Sequence, residues 1–219
     1  MKLLLMNGSP RRKKAHFVFA NTTKELAEEG GHEAEVFHAI DFHEGKKDIG
    51  DLKKALSGTD IIGLFTPLYV DALPYPVIEL LENLGAACRE ELKGKRLYAI
   101  SGCGFPDFTL FEPVFGACAC FARSMEMTWL GGMGYVATPM QDGQDPDKMG
   151  KRGQGIITGL QLALDAVLEG RMVTEEAQRE FAMHFPRPLL YLFAPFVNIL
   201  ARRSCRKLGT DLYARPYAD

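Results

Sequence analysis

The strongest constraint on this chain is an alternation of short apolar runs with segments of helical period, sustained over about its first 170 residues. Residues 2–6, 60–65 and 96–100 are nearly continuous apolar runs, the form of parallel strands buried on both faces. Residues 33–38 make a more polar strand, expected nearer an edge, and residues 128–136 a fifth that glycines interrupt. Between them, Phe19, Ala20, Thr23, Leu26 and Ala27 share one helical face that Gly30-Gly31 closes. A short helix is expected at 51–56. Pro76 suits a first helical turn ahead of Val77, Leu80, Leu81 and Leu84. Leu110, Val114, Cys118 and Phe121 mark the next face, and Ile156, Leu160, Ala163 and Val167 the last. Strands alternating with helices imply right-handed βαβ crossovers and a parallel sheet with helices on both faces, a doubly wound α/β domain over residues 1–170.

Residues 171–219 read differently, as a C-terminal helical extension. Phe185-Pro186-Arg187-Pro188 breaks the chain; residues 189–201 are mostly apolar, and Arg202, Arg203, Arg206 and Lys207 follow with no acid until Asp211. Spanning a bilayer takes roughly 20 apolar residues, so this run is too short. Packing within the protein or a dimer, contact with another partner, and lying on an anionic membrane surface are all open.

A formal charge of -2 and 25% charged residues exclude a chain built around nucleic-acid binding or acidic disorder. The five cysteines are odd in number, form no C-x-x-C, and follow no secretory signal, so free thiols in a reducing cytoplasm are expected.

Ligands on such sheets sit beyond the carboxyl ends of the strands, where strand order reverses. The loop after the first strand is Asn7-Gly8-Ser9-Pro10-Arg11-Arg12-Lys13-Lys14-Ala15-His16: a turn, a hydroxyl, and four consecutive cations opening a helix. Helix-start N–H groups favour an anion, Ser9 can donate to it, and Arg11 can fork onto phosphate oxygens, with Arg12 and Lys13 adding charge. The plainer alternative is a solvated charge run. G-x-x-x-x-G-K-[ST] is absent, which argues against a nucleoside triphosphate. Gly132-Met133-Gly134-Tyr135-Val136-Ala137 fits G-x-G-x-x-A in form only, because it lies inside a strand with no helix directly after it. A monophosphate cradle remains. After the third strand, two prolines stiffen Thr66-Pro67-Leu68-Tyr69-Val70-Asp71-Ala72-Leu73-Pro74, and Tyr69 offers an aromatic face; the alternative is a rigid loop packed on the next helix. After the fourth, Ser101-Gly102-Cys103-Gly104-Phe105-Pro106-Asp107 allows close backbone approach, with Phe105 available to flank a flat ring.

G-S-P-R, T-P-L-Y-x-x-x-L-P and S-G-C-G-F-P-D together resemble the NADPH-dependent FMN reductase family of the flavodoxin-like superfamily, over about residues 2–170. The resemblance implies a flavodoxin-like five-stranded parallel sheet of order 2-1-3-4-5 and FMN as cofactor, with NAD(P)H as co-substrate. It assigns Ser9, Arg11, Ala15, His16 and Phe17 to the FMN phosphate. Pro67, Leu68, Tyr69, Val70, Ser101, Gly102, Gly104 and Phe105 fall to the isoalloxazine ring. It also implies a homodimer and electron transfer to a quinone, a flavin or another small acceptor. The sequence departs from G-S-P-R-x-x-S-N-T by placing Lys14, Ala15 and His16 where hydroxyl and amide side chains usually stand. An electron carrier and an FMN-free binding protein are the competing readings. A carrier docking by charge would be more acidic than this chain. The hydride step requires no acid–base residue, and none is nominated. Cys103, near the ring position, is read as a small residue that fits or as a redox modulator, and Cys118 and Cys120 as packing residues. The histidines show no metal-ligand spacing; His38 and His43, with Asp41, read as solvated polar groups, and no metal cluster is expected.

Overall fold

The computed structural model describes residues 1–182 and 187–210. In chain order the elements begin with β1 (Lys2–Asn7), α1 (Ala15–Glu29), β2 (Glu33–His38), α2 (Ala39–His43), α3 (Ile49–Leu56) and β3 (Ile61–Pro67). They continue with α4 (Tyr75–Ala87), α5 (Arg89–Leu92), β4 (Arg96–Gly102), α6 (Glu112–Ser124), β5 (Thr128–Tyr135), α7 (Lys151–Leu168) and α8 (Glu175–Phe181). The five strands form one sheet in the order β2-β1-β3-β4-β5, and every neighbouring pair is parallel. This is the flavodoxin-like arrangement, and its strand order reverses between β1 and β3.

Side-chain alternation along the strands divides the core in two. Leu3 and Leu5 of β1 face one side, packed with Phe19 of α1, Leu160 and Leu164 of α7 and Phe181 of α8. Leu4 and Met6 face the other, with Leu52 of α3, Val77 and Leu80 of α4, and Val114 and Cys118 of α6. A strand buried on both faces must be apolar at every position, which is why β1, β3 and β4 read as continuous runs. β2, at the edge, is the polar exception.

β5 forms the opposite edge, and its glycines serve packing. A methyl group on Gly134 would lie 2.3 Å from the Phe111 ring, and one on Gly132 2.6 Å from Phe115. The glycine pattern there makes room for two aromatic rings and holds no nucleotide loop. Beyond β5 lies α8, an element the helical periodicity missed. Its seven residues are too few to show a repeat, although Thr174 caps it by accepting a hydrogen bond from Ala177 N–H at 3.1 Å. The side-chain amide of Gln178 meets β5 as another strand would: Oε1 accepts from Gly134 N–H at 2.7 Å and Nε2 donates to Gly134 O at 3.0 Å.

The chain divides into two compact units, residues 1–183 and 184–219. In the second, α9 (Arg187–Lys207) contains Pro195 and ends in the basic residues Arg206 and Lys207; Ile199 and Leu200 are about half exposed. Phe185 and Pro186, where the sequence predicts a break, lie outside the described residues. Among the described residues no helix is long and apolar enough to cross a membrane.

Candidate functional site

The carboxyl ends of β1, β3 and β4 open onto one cleft of about 300 Å³. The loop after β1 is wound by its own side chains: Ser9 N–H donates to Asn7 Oδ1 at 3.1 Å, and Arg11 N–H donates to Ser9 Oγ at 3.2 Å. Gly8 N–H donates to Phe65 O at 2.7 Å, and a methyl group at Gly8 would meet Val77 at 2.5 Å. Only glycine lets this turn approach β3 so closely. The turn delivers the chain to α1, whose N-cap residue Lys14 makes no side-chain capping hydrogen bond and whose first turn holds no acid. The partial positive charge at the start of this helix therefore faces the cleft without a side-chain cap.

Ser9, Arg11, Ala15 and His16 line the cleft from the first loop, Pro67, Leu68 and Tyr69 from the second, and Gly102, Cys103 and Gly104 from the third. Backbone hydrogen bonds stitch the walls together. Leu68 N–H donates to Gly102 O at 2.9 Å, Cys103 N–H to Tyr135 O at 3.1 Å, and Thr138 N–H to Cys103 O at 2.9 Å. The last of these brings in a fourth loop, after β5, which contributes Thr138, Pro139 and Asp142. Sequence reasoning missed this loop and Lys14, although any loop following a parallel strand emerges at the same sheet edge.

Six of the sequence-nominated residues stand off the cleft wall. Arg12 turns away to Asp41 and to Glu44, the latter at 2.8 Å, and Lys13 is exposed. Phe17 lies one residue further round α1 than His16 and stacks on His38 with ring centroids 5.5 Å apart. Ser101 is fully buried, its Oγ without a partner among the described residues. Phe105 is exposed. Val70 is 98% exposed at the tip of a two-residue turn that reciprocal Tyr69–Ala72 backbone hydrogen bonds close at 3.0 and 3.1 Å. Val70 and Asp71 have φ of 50° and 56°, a left-handed pair that strains a β-branched valine.

His38 is half-buried, 3.0 Å from Asn7 through Nδ1, so it is no solvated group. Cys120 is exposed while Cys118 is buried, because two residues carry it 200° round α6. Burial pushes the Cys118 thiol up to about 12. Cys103 is also raised by burial, and its thiol donates to Phe105 O at 3.0 Å. Both shifts disfavour the reactive thiolate.

His16 is the most unusual group on the wall. It is only 4% exposed, and burial, with the nearby Arg11 charge, drives its pKa down to about 3. Its Nε2 has no partner among the described residues and lies beside Gly102, where an added methyl group would be 2.7 Å away. An orphaned ring nitrogen, an uncapped helix start and a glycine wall fit a phosphate-bearing flat ligand such as FMN. Because the folded pKa lies below the ordinary 6.5, the unfolded chain binds a proton between pH 6.5 and 3 that the folded chain refuses. Stability therefore falls as pH drops through that window, by about 2 kcal/mol at pH 5. Urea unfolding of the wild type at pH 7 and pH 5 is expected to show this drop, and His16→Asn is expected to reduce it, leaving the smaller share of His38, which burial also lowers.

No curated protein matches the chain. Among solved structures, an NADH:FMN oxidoreductase in its apo form is similar with a TM-score of 0.61 at 15% identity, covering 81% of this chain and 93% of that one. An NADPH-quinone reductase from P. pentosaceus gives 0.53 at 17%, covering 74% and 96%. The FMN complex of general stress protein 14 from Treponema denticola gives 0.52 at 12%, covering 73% and 99%. At these identities the likeness is one of fold. Residues 1–110 match the model of the NADPH-dependent FMN reductase family, half of the chain, and the protein belongs to that family.

Proposed function

We propose that this chain is an FMN-dependent NAD(P)H oxidoreductase that passes electrons to a quinone, a flavin or another small acceptor. The observation that carries the reading is the convergence of three loops on one cleft that has an uncapped helix start on its wall. When bound, FMN supplies two-electron chemistry with a reduced nicotinamide and an acceptor. The protein binds and orients. The α1 start, Ser9 and Arg11 hold the phosphate; Pro67, Leu68 and Tyr69 form one side of the ring slot, and Gly102 to Gly104 the other. Tyr69, 40% exposed, stands at the mouth where a second ring would stack. A homodimer and a cytoplasmic location belong to the same proposal; sedimentation checks the former.

The test is optical. Purified protein reconstituted with FMN is expected to show flavin absorption bands that bleach anaerobically with NADPH or NADH. A protein that takes up no FMN overturns the reading. One that binds FMN but bleaches only through a separate reductase is an electron carrier. Arg11→Ala is expected to weaken FMN about 10–100-fold, the loss of a charge-assisted contact, and to leave riboflavin unchanged.

A further inference from the structure

Lys14 and Asp142 come from opposite ends of the domain sequence and meet at the cleft wall, Nζ to Oδ1 at 2.7 Å. Asp142 is no loose surface acid. Gln141 beside it is fully buried and clamps the turn: its Nε2 donates to Gln144 O at 2.6 Å, and its Oε1 accepts from Gly143 N–H at 2.8 Å. Asp142 N–H donates to Thr138 O at 3.1 Å, with Asp142 at a φ of 39°. A methyl group on Gly143 would be 2.6 Å from Lys13 O, so the turn is pressed against the first loop. Lys14 and then Arg11 hold the Asp142 carboxyl below the usual carboxylate range. The carboxylate thus pairs with Lys14 beside a helix whose own first turn supplies neither cap nor acid. On the same wall, the buried Nε2 of His16 has no partner among the described residues, a second feature that favours a bound ligand.

We propose that Asp142 is a built-in anion that competes with the ligand's phosphate for Lys14, and so limits how strongly the cleft prefers a phosphorylated flavin to an unphosphorylated one. The proposal rests on the FMN reading above. An incoming phosphate must part Lys14 from Asp142 and then lie near a remaining carboxylate. Lys14 and Asp142 are 40% and 57% exposed in their side chains, so solvent screens the pair and it is displaceable. The cleft therefore accepts FMN at reduced affinity, while riboflavin, with no phosphate, leaves the pair in place.

The test compares full-length wild type with Asp142→Asn, a substitution chosen because Asn tolerates left-handed backbone. FMN and riboflavin are titrated by flavin fluorescence. Asp142→Asn is expected to tighten FMN about 3–10-fold and to leave riboflavin within about twofold. The gain is expected to vanish when Lys14→Gln is added. Unchanged or weaker FMN binding overturns the proposal, as does equal tightening of both flavins, which would mean that the cleft had merely opened. If neither protein takes up FMN, the functional reading fails, and inorganic phosphate then decides. It is followed by NMR at the Ala15, His16 and Phe17 amides: tighter phosphate in Asp142→Asn supports the built-in anion, and equal or weaker binding refutes it.

Discussion

Phe181→Ala is expected to destabilise the first unit by about 3–5 kcal/mol, the range for emptying a fully buried aromatic site. Phe181 is 1% exposed and sits between Phe19 and Tyr135, with ring centroids 5.0 and 5.2 Å away. The site cannot collapse readily. Backbone and Cβ of Phe181 press on α7 at Gly159, where a methyl group would be 2.5 Å from both Phe181 Cβ and Phe181 N. The drop should appear in urea as a lower midpoint at unchanged slope. A loss under about 1 kcal/mol would mean that α8 is peripheral and that the folding unit is complete at the end of α7. The damage is expected to reach the cleft as well, because Tyr135 O accepts the Cys103 N–H that fixes the third loop.

Gly102→Ala is expected to weaken flavin binding by about one to two orders of magnitude. The new methyl group would stand 2.5 Å from Thr138 Cγ2 and 2.7 Å from His16 Nε2. Neither neighbour can retreat cheaply. Thr138 is tied through its N–H to Cys103 O, and His16 is almost wholly buried. Relief comes by swinging one of them into the cleft, which fills the space a ring would take. Overpacking of this kind costs about 1–3 kcal/mol, and the same figure taken from affinity is a loss of about 5–150-fold. Flavin titration beside a thermal melt separates the two effects. A variant that melts like wild type and binds flavin equally well would remove Gly102 from the ligand wall.

The sheet was legible because a central parallel strand leaves no freedom in composition. Leu3, Leu4 and Leu5 must all be apolar, since alternate side chains enter opposite cores. Glu33–His38 could be placed near an edge for the converse reason, as three of its six residues are acidic or basic-ring side chains. Helices α2 and α8 were not legible. Each is shorter than two turns, and α8 is specified by what it touches, Gly159 and Gly134, rather than by its own period. For the cleft, strand–loop order identified which loops converge but not which way each side chain turns. Arg12 and Arg11 are adjacent and equally charged, yet Asp41 on α2 and Glu44 just after it draw Arg12 off the wall. The short helix carrying one of those acids had itself left no pattern. Phe17 and Val70 stand off the cleft wall for geometric reasons, the one by its angle around α1 and the other by a turn that points it at water. Asp142 was out of reach because its contact with Lys14 spans almost the whole domain sequence.

The amide of Gln178 has a consequence for how this molecule behaves in a crowd. A sheet edge offers unpaired N–H and C=O groups to any extended chain, and proteins generally blunt such edges to avoid polymerising through them. β5 is poorly suited to the usual remedies: its centre is glycine, with no charged side chain to repel a newcomer. Gln178 occupies both hydrogen-bonding groups of Gly134 with a single planar group that has a donor and an acceptor but no chain to continue. It terminates the ladder as a chain stopper ends a polymer. The identity of one helical side chain thereby bears on whether the folded protein remains discrete or recruits its neighbours strand by strand.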